Sequence, residues 1–135
     1  MALQLSTSVR NAMLDAIETT VGTSAIIEIR TGSAPATCAT ADSGSVLVTY
    51  NLASDWAAAA SSGSKALSST PISGTAGATG TAGHFRVKDS GGTTTHAQGT
   101  ITATGGGGDM TVDNTSITSG QSVNITSLSF AQSGA

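Results

Sequence analysis

The chain has 135 residues, a formal net charge of −3 and only 10% charged side chains, a size that allows one domain around one core and excludes two ordinary ones. Its five Lys and Arg form no run, so no electrostatic footprint for nucleic acid or an anionic membrane is present, and neither is expected as a partner. The single cysteine, Cys38, rules out an intrachain disulfide, a CxxC redox pair and a thiolate zinc cluster, and reads as a buried or inert loop thiol.

Aromatics make up 3% of the chain, so Tyr50, Trp56, Phe85 and Phe130 are the few large pieces of a core otherwise built from Val, Ile, Leu and Ala. A core this thin gains from neighbouring subunits. No apolar run approaches the length of a membrane span, and Arg10 with its polar neighbours interrupts the segment where a signal peptide would be apolar, so a soluble chain is expected.

The first element is a helix over 8–22. Val9, Ala12, Met13, Ala16, Ile17 and Val21 recur at three- and four-residue spacing, which predicts the buried face, with Arg10, Asn11, Asp15 and Glu18 on other faces. Ser6, Thr7 or Ser8 can cap it, and Gly22 sits where a left-handed residue would end it. From residue 24 on, the period changes to two. AIIEIR puts Ile27 and Ile29 on one face, and SVLVTYNL does the same for Val46, Val48, Tyr50 and Leu52. The intervening TGSAPATCATADSG reads as a loop. Residues 57–79 are a low-complexity run of small side chains in which periodicity places nothing firmly beyond a strand within 65–72.

HFRVKD sets Phe85 and Val87 against His84, Arg86 and Lys88; Asp89-Ser90-Gly91-Gly92 turns; and 93–103 returns with Ala97, Gly99, Ile101 and Ala103 inward, a β-hairpin. DMTVD buries Met110 and Val112, Ser119-Gly120-Gln121 turns, and SVNITSLSF follows. In that last strand Val123 and Ile125 fall on one parity and Leu128 and Phe130 on the other, which predicts a bulge near Ser127. The fold class expected is mainly β, an antiparallel sandwich or jelly-roll-like domain over 24–135 with one N-terminal helix, the whole chain forming a single domain.

Chemistry is harder to find. Gly105 to Gly108 lead into Asp109 and a strand, whereas a phosphate loop needs Lys and a hydroxyl residue opening a helix, so the glycines read as a tight turn or a close pass under a neighbouring surface. His84 and His96 fall near each other if the hairpin is symmetric, but two histidines without a third ligand do not make a metal site, and a solvated or interface-facing pair is preferred. No GxSxG, SxxK or HExxH is present, so neither a catalytic residue nor a cofactor is assigned. Asn114 and Asn124 match the glycosylation pattern but read as turn and strand-edge residues, and Trp56 reads as a core or interface anchor before a sugar-stacking ring.

Taken together, LSTSVRNAMLDAIETTVGTSAIIEIRTGSAPA, GTAGHFRVKDSGGTTTHAQGTI and GGGGDMTVDNTSITSGQSVNITSLSF resemble a family of small structural proteins of tailed bacteriophages and prophages. An R-N-A-x-L-D-A helix start, a G-T-A-x-x-F-R-V-x-D-S-x-G hairpin and a D-x-x-x-D-N-T-S-I-x-x-G turn occur together there. The resemblance implies a non-enzymatic virion component, made in the bacterial host cytoplasm and placed on the capsid exterior, that cements or decorates the joints between major capsid subunits. Its partners would be the major capsid protein and further copies of itself, as a dimer or trimer. A tail-fibre or tail-tip protein is the alternative, and a carbohydrate-binding β-sandwich using Trp56 and Tyr50 a more distant one. The contact residues expected are Arg10, Leu14, Trp56, His84, Arg86 and His96.

Overall fold

The computed structural model describes residues 3–132. Among these residues one helix, α1 (Thr7–Val21), precedes nine strands: β1 (Ile26–Thr31), β2 (Val46–Asn51), β3 (Ser64–Ala66), β4 (Ile72–Thr75), β5 (Gly80–Lys88), β6 (Thr95–Ala103), β7 (Met110–Val112), β8 (Ser116–Ile117) and β9 (Ser122–Ala131). The chain is thus mainly β with a single N-terminal helix, and its sheet curls into a half-barrel.

Ser6 caps the helix, its hydroxyl accepting from the Val9 N–H at 3.2 Å, and Gly22 ends it at φ +89°. The buried face shares only Ile17 and Val21 with the one that periodicity selects. Leu14 and Val21 are buried and Ile17 packs against the core, while Val9 and Met13 remain 46% exposed. The helix has turned its Arg10, Asn11, Asp15 and Glu18 edge toward the rest of the chain, because those side chains find partners there.

Hydrogen-bonded neighbours run β2-β1-β5-β6-β7-β9-β3, with β4 pairing to β9 and β8 to the start of β5. Curling brings β4 against β2. Gly74 lies so close to the Tyr50 ring that a Cβ there would stand 2.6 Å from it, and the Tyr50 hydroxyl donates to the Val123 carbonyl at 2.9 Å. Between the two arms lies the expected core: Ile27, Ile29, Val87, Met110, Val112, Val123 and Ile125 are all fully buried. The last strand is bulged as its parity required. Thr111 pairs with Ser127 but Val112 pairs with Ile125, so Thr126 is the extra residue, and Leu128 and Phe130 rejoin the core side.

The four-glycine run turns out to make an unusual connection. β6 and β7 are parallel, Ile101 beside Met110 and Ala103 beside Val112, although only residues 104–109 join them and such crossovers ordinarily take a dozen or more. Gly105 (φ +88°) and Gly107 (φ +81°) reverse the chain, and Gly106 and Gly108 pass over Thr102 at distances that leave no room for a Cβ. Thr102 Oγ1 accepts the Gly108 N–H at 3.0 Å, and the Asp109 carboxylate accepts from the Thr100 N–H at 2.9 Å. The glycines therefore serve chain reversal and close passage, over their own strand.

In the hairpin, His84 pairs with Thr100, not with His96. The histidines lie four residues apart along the ladder, roughly 13 Å, so the symmetric-hairpin expectation fails. Among the described residues no group of three or more His, Cys, Asp or Glu is placed to hold a metal ion, and no helix is long and apolar enough to cross a membrane.

Candidate interaction surface

The outer face of β1 and β5 carries the cations Arg30, Arg86 and Lys88. Alternation alone would leave them solvated. Instead the loop 32–45 folds back over them, and they are 8%, 1% and 4% exposed. Asp42 is the central counter-charge: it pairs with Arg86, with Lys88 at 2.7 Å and with Arg30 at 3.1 Å, while Glu28 takes Lys88 and Arg30 at 2.9 Å each. Of the remaining guanidinium donors, Arg86 Nε goes to Gln98 Oε1 at 3.0 Å and the others go to loop carbonyls. Arg86 Nη2 reaches Thr37 O, Cys38 O and Thr40 O at 3.0–3.2 Å, and Arg30 reaches Ser43 O and Gly44 O. His84 Nδ1 adds Gly32 O at 2.8 Å and Gln98 adds Pro35 O at 2.7 Å. The Lys88 hydrogen bond, with Arg86 and Arg30 beside it, holds the Asp42 carboxyl down at about 2.

On the opposite side of the domain the inward edge of α1 holds the segment 57–65. Glu18 accepts the Ala57 N–H at 3.2 Å, Asp15 the Ala60 N–H at 2.9 Å and Asn11 the Gly63 N–H at 2.9 Å. Acceptors spaced about one helical turn apart thus meet donors spaced three residues apart. Lys65, 1% exposed, closes the ladder against Asp15 at 2.8 Å and Glu18 at 3.2 Å. Burial opposes the Lys65 charge, but the hydrogen bonds it donates to Asp15 and Glu18 outweigh it and raise its pKa, while Lys65 lowers that of Asp15.

These two networks use up the basic residues. Arg30, Lys65, Arg86 and Lys88 are buried and paired, and Arg10 donates to Gln132 O and Thr7 Oγ1. Four carboxylates, Asp55, Asp89, Asp109 and Asp113, have no Lys or Arg within ion-pair distance. Cation-free negative charge on the outside is the wrong sign for a polyanion.

What the surface does offer is the outer side of α1. Leu3, Val9 and Met13 are the large apolar side chains left exposed among the described residues. Ala12, Ala16 and Thr20 lie between and beyond them, also exposed, and the stripe bears no charge. Beside it runs an open groove of about 260 Å³ walled by Met13, Ala16, Ile17, Thr20, Val21 and His96.

Of the six contact residues expected from sequence, His96 is half-buried at this groove and Arg10 is half-buried at the helix start. The other four are covered by their own chain. Leu14 is 4% exposed, Trp56 2% with its indole N–H on Gly22 O at 2.8 Å, and His84 and Arg86 1% each, so in the single chain they hold the fold together and present no surface. The exposure of Val9 and Met13 is not legible in the sequence, because a 3.6-residue period marks an apolar face without saying whether that face packs. Asp42 carried no periodic signal at all; the available clue was that three of the chain's five cations fall on two neighbouring strands and need a counter-charge.

No family model, curated protein or solved structure matches this chain.

Proposed function

We propose that the chain is a non-enzymatic structural protein of a tailed-bacteriophage particle, a cement or decoration protein that binds in many copies over joints between major capsid subunits and contacts further copies of itself. The observation that carries this reading is the distribution of polar groups. Buried cations, with their carboxylate partners at the rim, fasten the loop 32–45 onto the sheet and the segment 57–65 onto α1, while the surface keeps four carboxylates with no Lys or Arg partner and a bare apolar helix face. Such a molecule is built to be rigid and to lie against protein. The motif resemblance of the helix start, hairpin and turn supplies the particle.

A sugar-binding reading draws no support from its two rings: Trp56 and Tyr50 are both 2% exposed, with the indole N–H and the phenol hydroxyl bonded inside. Burial, with the Asp113 charge adding to it, pushes the Tyr50 phenol well above its ordinary pKa.

Quantitative mass spectrometry of purified particles, with heads and tails separated, tests the proposal. A copy number comparable to that of the major capsid protein in the head fraction is the expected result. A few copies confined to tails overturns it in favour of a tail-tip or fibre role.

A further inference from the structure

We propose that the recess between the end of β2 and the start of β4 receives an arginine side chain of a partner protein, with Asp55 taking the guanidinium. The proposal goes beyond the function proposed above and does not depend on the particle.

The recess has a volume of about 270 Å³ and apolar walls that include Leu52, Trp56, Pro71 and Ile72. That is just below the ~300–1,000 Å³ of sites for small-molecule ligands, and it suits one long side chain. Its walls are fixed before anything binds. The Trp56 indole N–H donates to Gly22 O at 2.8 Å, the Ser68 N–H to Trp56 O at 3.0 Å and the Leu52 N–H to Ala25 O at 3.0 Å. Little ordering is needed on this side of the contact.

Asp55 lines this recess and also the adjoining one of about 350 Å³, which Glu18, Thr19 and Gly22 form at the C-terminal end of α1. That end is negative. A helix finishes in carbonyls without intrahelical donors, and the last turn of α1 holds no basic residue to offset them. Glu18 is already engaged by Lys65 and the Ala57 N–H, whereas Asp55 is exposed and has no Lys or Arg within ion-pair distance among the described residues. The uncompensated charge thus stands where the apolar recess and the helix end meet.

A small amine would leave the apolar walls wet, and a metal ion would find one uncommitted carboxylate where it needs several oxygen ligands. Arginine uses both halves of the site. Its methylene stem covers apolar surface, while its planar fork of donors reaches a carboxylate and neighbouring carbonyls together. A second copy of this chain cannot supply it, because Arg30 and Arg86 are buried and paired and Arg10 is bonded to Gln132 O and Thr7 Oγ1. The arginine therefore belongs to a different protein.

The test is an NMR titration of the full chain, labelled with nitrogen-15, with the blocked tripeptide Ala-Arg-Ala and with its citrulline counterpart, which keeps the shape and loses the charge. Expected are shifts at the Asp55 and Ser69 amides and the Trp56 indole N–H, with the citrulline peptide about fivefold weaker. Asp55→Asn, an exposed change that leaves the thermal transition in place, should bring the arginine peptide down to the citrulline level. Equal binding of the two peptides, or an arginine preference that survives Asp55→Asn, overturns the proposal. So do shifts spread equally over Asp89, Asp109 and Asp113, or no shift at about 10 mM peptide, at which a millimolar contact is mostly occupied.

Discussion

The loop 32–45 and the segment 57–65 are alike in sequence and opposite in construction. Both are runs of Ala, Ser, Thr and Gly with little apolar side chain to bury. Both are nonetheless fixed, each through its backbone. The loop offers its carbonyls to buried cations that rise from the sheet below it. The segment offers its N–H groups to acceptors on the helix beside it. A peptide group has a donor and an acceptor, and a stretch with nothing else to contribute can be held by either, provided that a neighbouring element supplies the complement.

The largest effect should come from removing the anchor of the loop. Arg86→Met leaves Asp42 short of a partner and three carbonyls without their guanidinium, and should cost about 3–5 kcal/mol of unfolding free energy in chemical denaturation. Lys65→Met, its counterpart in the other network, should cost less, because Asp15 and Glu18 are 48% and 26% exposed and recover water.

Glycine substitutions sharpen the contrast. A Cβ at Gly44 (φ +68°) would strike the backbone carbonyl of Thr31, which cannot move, so Gly44→Ala should cost about 2–4 kcal/mol. At Gly63 (φ +74°) the nearest atom is the end of the flexible Arg10 side chain, and Gly63→Ala should cost about 1–2 kcal/mol. Thermal melts of the two variants rank them, and an equal loss would mean that the two segments are fastened alike.

Acid separates the networks in a different way. The Asp42 carboxyl titrates at about 2 in the folded chain against 3.8 for a free aspartate, so its stabilisation is complete above pH 3.8 and is lost as the pH falls from there toward 2. Because Asp42 is 35% exposed, solvent screening reduces the effect to about 1 kcal/mol. Hydrogen exchange should show amides of the loop losing protection across that window, and Asp42→Asn should remove the pH dependence while leaving the loop loose at every pH.

The smallest expected change is confined to one amide. Asn11→Ala deletes the acceptor of the Gly63 N–H, and one hydrogen bond of about 1 kcal/mol corresponds to a roughly fivefold loss of exchange protection at Gly63, with Ala60 and Ala57 little altered. Uniform loss at all three would make the ladder a single cooperative unit.

Much of the architecture was legible from the period of the apolar residues. A switch from 3.6 to 2 after Gly22 marks one helix followed by strands, the parity change between Ile125 and Leu128 marks the bulge, and Asp89 to Gly92 marks the hairpin turn. Periodicity sees side chains that leave water, and in the strands Ile27, Ile29, Val87, Met110, Val112, Val123 and Ile125 are buried as expected, whereas Ala103, read as inward, is exposed. It does not see polar groups that leave water, because Arg86 in a solvated face and Arg86 under a loop occupy the same place in the alternation. It is equally silent on whether an apolar helix face meets its own core. Only the tertiary structure decided that Asn11, Asp15 and Glu18 turn inward and Val9 and Met13 stay outside, since the N–H groups of residues 57, 60 and 63 had to be satisfied and the helix carried the acceptors.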